Sequence, residues 1–218
     1  VGTVCDKVGL SKPELCPTGK FCPISGITSE IDCPMGSYNS KQGSISENDC
    51  IKCPAGYYCR EKGMSIPTIC PIGYYCQTGY IIPSACPTGT YNGNTGIENI
   101  TDCNKCPAGK FNANIGQTTI NNCFSCPSGT FCQEGSSSPI PCPSNFYCPD
   151  TLTKIPCKKG TYYSGVQGIS ENVCSPCPKG YVCLGNGMGK EQCPIGTYSS
   201  DEGSYDCTIC PAGHYCEL

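Results

Sequence analysis

The sequence predicts a small disulfide-rich all-β protein: an elongated, solenoid-like tandem array of about twelve units of 15–20 residues, each stapled by a disulfide, with no helices of note. Three observations predict it. Cysteine supplies 25 of 218 residues, above the level that marks a disulfide scaffold. Glycine and proline add 27 and 20 more, and the large aliphatic residues stand singly between these turn formers. Finally, one phrase recurs along the whole chain, as in CPAGYYC at 53–59 and CPIGYYC at 70–76. Self-similarity at a short fixed period is the mark of a repeat architecture. A chain with no large core of its own must be held by covalent staples.

The repeats open at Cys16, Cys33, Cys53, Cys70, Cys86, Cys106, Cys126, Cys142, Cys157, Cys177, Cys193 and Cys210. Counting each opening cysteine as position 0, position 1 is proline in eleven of the twelve; the exception is Lys158. Position 3 is glycine in eleven, and the exception is Asn145. Asparagine is the residue that best replaces glycine where φ is positive. Position 3 is therefore expected to be left-handed, with proline at the second corner of a turn close to type II. Position 5 is aromatic in eleven repeats, from Phe21 to Tyr215; only Val182 departs, with Tyr181 beside it. These rings are expected to cover the disulfide and the neighbouring turn, and to supply most of the buried apolar area.

Short repeats place their second cysteine at position 6, which gives Cys22, Cys59, Cys76, Cys132, Cys148, Cys183 and Cys216. Long repeats place it 17 residues on, at Cys50, Cys103, Cys123 and Cys174, or 14 on, at Cys207. Two polar, β-tolerant stretches flank a glycine in the long repeats, as in GSYNSKQGSISENDC, and read as a small hairpin. Cys5 stands 11 residues before Cys16, as Cys22 does before Cys33. We read it as the second cysteine of a repeat opening upstream of Val1, unpaired within this chain. Residues 1–15 are then the tail of a preceding repeat, 16–218 the twelve tandem repeats, and the whole a piece of a longer protein.

Three disulfide registers are open. Each repeat can close on itself, which uses 24 cysteines and leaves Cys5. Each second cysteine can instead bond to the next opening one, as in 5–16 and 22–33, which leaves Cys216. Adjacent short repeats can also cross, as 53–70 with 59–76. We favour the first, because the second would make five tight Cys-x-x-Cys rings such as 50–53.

Cys103, Cys106, Cys123 and Cys126 also match a zinc-site spacing. Self-closure accounts for 24 cysteines with one rule, whereas zinc accounts for four, so we assign no metal and no cofactor. The Cys-x-x-Cys pairs are junctions of repeats, not redox centres. His214 occupies position 4, which elsewhere holds Lys20, Ser37, Tyr57 or Thr130, and so reads as a surface residue. LGNGMG at 184–189 lacks the strand–helix context of a phosphate loop. No serine or cysteine has a general-base partner, so no enzyme is expected. Asn99-Ile100-Thr101 is an N-glycosylation sequon. The net charge of −3 is dispersed, which argues against nucleic acid. No stretch is apolar and long enough to insert into a membrane. Cysteine at this density places the chain in an oxidising, extracellular compartment, secreted or on a cell surface.

The composite pattern CPxGxYC, then CPxGxY…G…S…C..CPxGxYC, resembles tandem ephrin-receptor-like cysteine-rich repeats, relatives of tumour-necrosis-factor-receptor and EGF-like modules. The resemblance covers 16–218. It implies that a long repeat closes its first cysteine on its second, as 33–50. Long arrays of this kind occur in large protist surface proteins, including mastigoneme-like flagellar-hair chains. The expected function is therefore structural: a segment of an extracellular fibre, filament or surface coat, associating with itself or other matrix chains and carrying glycans. A ligand-binding or adhesive receptor ectodomain is the alternative. Its candidate loops are GYIIPSA at 79–85 and LGNGMGKEQ at 184–192.

Overall fold

The computed structural model describes residues 1–5 and 12–216, and the chain divides into two compact units. One is Val1–Lys105 with Asn114–Asn122; the other is Cys106–Ala113 with the chain from Cys123 onward. Both are disulfide-rich and all-β. Among the described residues there are twelve two-stranded antiparallel ladders and no α-helix. Each ladder pairs positions 4 and 5 of a repeat with the residues just before the next opening cysteine. Lys20–Phe21 pairs with Ile31–Asp32, Tyr57–Tyr58 with Thr68–Ile69, and Thr161–Tyr162 with Ser175–Pro176. Two-residue strands are too short to stand alone in water, so their order comes from bridges and neighbours. Gly2, Thr3, Val4 and Cys5 occupy the places of positions 3 to 6: Gly2 donates to the Cys22 carbonyl and Thr3–Val4 pairs with Glu14–Leu15.

The opening turn differs from expectation in its register. The N–H of position 4 donates to the carbonyl of position 1, as Tyr57 to Pro54 at 3.2 Å and Thr90 to Pro87 at 3.2 Å. Proline is thus the first corner and glycine the third, where φ near +80° suits a type II turn. Proline contributes its carbonyl, which any residue can supply. The repeat that has Lys158 there keeps the turn, with Thr161 N–H donating to Lys158 at 3.0 Å. Asn145 stands in the left-handed region at φ 63°.

Backbone bonds join neighbouring repeats within each unit. Gly19 N–H donates to the Asn39 carbonyl and Gly43 N–H to the Cys16 carbonyl, both at 2.7 Å. Cys22 N–H completes the set by donating to Ser44 at 2.9 Å. The second unit repeats this pattern with Gly160 to Cys183, Gly203 to Cys177 and Cys183 to Ser204, at 2.8–3.0 Å. A further contact skips one repeat. A Cβ on Gly36 would lie 2.7 Å from the carbonyl oxygen of Gly79, two repeats on. The same near-touch links Gly56 to Gly96 in the first unit and Gly160 to Gly203 in the second. At Gly36, Gly56 and Gly160, position 3 needs glycine both for its φ and for this approach.

Half-cystines dominate the buried set, most of them wholly inaccessible. Among the position-5 aromatics, Phe21 and Phe131 are buried; most of the others are half-buried and Tyr215 is exposed. Phe131 packs against Cys142 and Cys148, the bridge of the following repeat, and Val4 packs likewise against Cys16 and Cys22. In these two clusters the position-5 side chain covers its neighbour's bridge, so burial couples adjacent repeats.

Four long repeats hold a single 3-10 turn before their closing cysteine: Glu47–Asp49, Ile100–Asp102, Ile120–Asn122 and Glu171–Val173. The hairpin reading of these loops missed it. The signal is a capping box: Asp49 Oδ2 accepts from Ile45 and Ser46 N–H, and Asn48 N–H donates to Ser46 Oγ.

Candidate functional site

Every opening cysteine is bonded within its own repeat. Short repeats hold Cys16–Cys22, Cys53–Cys59, Cys70–Cys76, Cys126–Cys132, Cys142–Cys148, Cys177–Cys183 and Cys210–Cys216. Long repeats hold Cys33–Cys50, Cys86–Cys103, Cys106–Cys123, Cys157–Cys174 and Cys193–Cys207. The four sulfurs with zinc-like spacing are all in these bridges, divided among Cys86, Cys123 and Cys132 as partners. Cys5 is exposed and free among the described residues.

The two kinds of repeat use alternative staples from one origin. The opening cysteine reaches either position 6 or the residue three before the next opening cysteine, with Cα separations near 5.9 and 5.7 Å. The place left without cysteine is then filled by something else. In long repeats position 6 is Asn39, Asn92, Asn112, Tyr163 or Ser199. The three asparagines are essentially inaccessible. Asn39 Nδ2 donates to Ser44 Oγ at 2.7 Å and to the Lys20 carbonyl at 3.1 Å. Asn92 Nδ2 donates to the Asn94 carbonyl at 2.7 Å, and Asn92 Oδ1 accepts from Asn94 N–H at 3.1 Å. Hydrogen bonding lets the amide take a buried site otherwise held by cystine. Sequence reading missed these residues, although their fixed spacing from the opening cysteine is the signal that finds them.

In short repeats the vacated place, three before the next cysteine, holds Glu30, Pro67, Pro83, Pro139, Lys154 or Lys190. Three of these are charged, and each is matched by its neighbours. Glu30 accepts from Lys20 at 2.6 Å, with Asp32 a further 3.6 Å partner. That hydrogen bond raises the Lys20 ammonium above its ordinary range and lowers the Glu30 carboxyl. Lys154 Nζ stands 4.8 Å from the Phe146 ring and 5.8 Å from that of Phe131. Lys190 Nζ stands 5.0 Å from Tyr181 and 5.2 Å from Tyr162. Both place a cation between position 4 of its own repeat and position 5 of the one before.

Asn99 is exposed at the head of the 3-10 turn in its long repeat, where Asp102 Oδ2 accepts its N–H at 2.9 Å. His214 is exposed, with its ring nitrogen 3.4 Å from the Ala212 carbonyl. In GYIIPSA, Ile81 and Ile82 are both exposed, and Ile81 also reaches toward Gly36. In LGNGMGKEQ, Gly187 lies on the Phe146 ring and Met188 is exposed. A groove between the repeats opening at Cys33 and Cys70 is lined by Met35, Ser37, Glu47, Lys52 and Thr78. No helix among the described residues is long and apolar enough to cross a membrane. Neither a protein-family model nor a curated protein sequence matches this chain.

Proposed function

We propose that this chain is a structural segment of an extracellular fibre, filament or surface coat, built as a solenoid-like array of ephrin-receptor-like cysteine-rich repeats. One observation carries the reading: repeats are closed by their own disulfides and joined to neighbours by backbone hydrogen bonds, as Gly19, Gly43 and Cys22 show. Such an architecture invests its chemistry in permanence and repetition. Its cystine content suits an oxidising compartment outside the cell. Exposed apolar side chains recur along it, among them Ile45, Ile66, Ile82, Phe124 and Ile169, and they supply lateral contacts to further copies or to other matrix and surface chains. Asn99 carries an N-linked glycan. The chain has no catalytic role and no cofactor in this reading.

Immunogold electron microscopy on unpermeabilised cells tests it, with an antibody against the folded chain. Label is expected along a surface fibre or coat that resists non-reducing extraction. Recovery as a free soluble monomer would overturn the reading. The groove beside Met35 and the exposed Ile82 favour a second reading, an adhesive or ligand-binding ectodomain. That reading predicts loss of binding to a cell or ligand on Ile82→Asp with the fold intact.

A further inference from the structure

Tension on a disulfide-bonded chain follows the shortest covalent route, so residues enclosed by a bridge carry none of it. The two kinds of repeat differ in what they leave outside. After the Cys33–Cys50 bridge only Ile51 and Lys52 precede the next opening cysteine, Cys53. Two-residue spacers also follow Cys103, Cys123, Cys174 and Cys207. Short repeats instead leave a tail: residues 23–32, 60–69, 77–85, 133–141, 149–156 and 184–192.

Each tail carries the second strand of its ladder, paired to the closed loop by backbone bonds and by no bridge, as Phe21 with Ile31 and Phe131 with Ile140. Turn amides tie tails to the preceding repeat: Gly63 donates to Cys33 at 2.9 Å, Gly79 to Cys53 at 2.7 Å and Gly135 to Cys106 at 2.8 Å. The residue three before the next cysteine then clips the tail without a covalent bond. Glu30 does so on Lys20, Lys154 between Phe131 and Phe146, and Lys190 between Tyr162 and Tyr181.

We propose that the short repeats are the extensible elements of the array and the long repeats its covalent stops. Under tension the six tails peel from their closed loops while every disulfide stays intact, and they re-dock when tension falls. This gives the structural role proposed above its mechanism. The mechanics themselves rest only on where the bridges and tails lie.

Single-molecule force spectroscopy of the whole chain, gripped at residue 15 and at its last residue so that tension enters at Cys16, the first bridged cysteine, tests this. Without reductant, six short steps are expected, each releasing at most about 30–40 Å at ~3.5 Å per residue. They recover on relaxation. A thiol reductant adds longer steps of about 60 Å as loops closed over 17 residues open. Lys154→Ala and Lys190→Ala lower the force of two of the six steps and leave the other four. Cys59→Ser with Pro67→Cys moves one bridge to the long position and removes one step. Extension only after reduction, long steps without reductant, or unchanged forces in both lysine variants would overturn the proposal. If the bridge-moved variant fails to fold, the lysine variants still decide. A chain that extends in this way but belongs to no fibre or coat keeps the mechanics and loses the structural role; a coat protein that does not extend does the reverse.

Discussion

At the residue scale, position 3 shows two demands falling on one glycine. Gly36 has φ +81° and faces the Gly79 carbonyl; Gly180 has φ +78° and nothing within 4 Å. Gly180→Ala should cost only backbone strain, about 1 kcal/mol, whereas Gly36→Ala adds a collision with backbone and should cost roughly 2–3 kcal/mol. Denaturant unfolding with disulfides intact compares them, and equal losses would remove the skipping contact from the account. The complementary case is Gln167, which holds φ 61° where Gly43, Gly96, Gly116 and Gly203 hold similar values. Gln167→Gly should stabilise the chain by up to about 1 kcal/mol, read as a shift of the same midpoint. The sequence made position 3 legible through Asn145, because only a left-handed site exchanges glycine for asparagine so readily. Gln167 offered no such signal: its conformation is imposed by the bond from its N–H to the Cys142 carbonyl, 2.7 Å away.

At the scale of the element, the tail of the first short repeat is held by charge. The Glu30 carboxyl is lowered and the Lys20 ammonium raised by their hydrogen bond. The carboxylate's contribution is complete above its unfolded range and is lost as pH falls through its lowered folded value. The ammonium's is complete below its unfolded range and is lost as pH rises through its raised folded value. The pair therefore works undiminished at neutral pH and fades at both extremes. Its worth is a few tenths to about 1 kcal/mol, as for other pairs near the surface. Hydrogen-exchange protection at the Ile31–Asp32 strand, taken relative to the intrinsic rate at each pH, should fall below the ordinary carboxylate range, and Glu30→Gln should abolish that fall. A pH profile identical in the variant would contradict it. In the long repeats Asn92→Ala leaves the Asn94 amide and carbonyl without their partner and should cost about 1–3 kcal/mol in the same unfolding assay.

At the scale of the molecule, stability resides in covalent closure, because the buried set is mostly cystine. Closing a 15-residue loop is worth about 3 kcal/mol in the chain-entropy view. Full reduction should therefore collapse all ladders together, and a protease that leaves the oxidised chain largely whole should then cut it throughout. Retained amide protection after reduction would show that the stacked backbone bonds suffice alone.

The sequence by itself determined the period, the left-handed position 3, the all-β class and the density of staples, because each depends on chemistry that one residue carries: sulfur for bridging, glycine or asparagine for a positive φ. Spacing left three registers open for the sulfurs. Only in the folded chain does the opening cysteine lie within bonding reach of position 6 in one repeat and of the site before the next cysteine in another. The tertiary structure also decided that glycines two repeats apart meet and that a position-5 side chain such as Phe131 covers its neighbour's bridge. These are contacts between residues distant in sequence, and their partners are set by how repeats stack rather than by any residue's own preference.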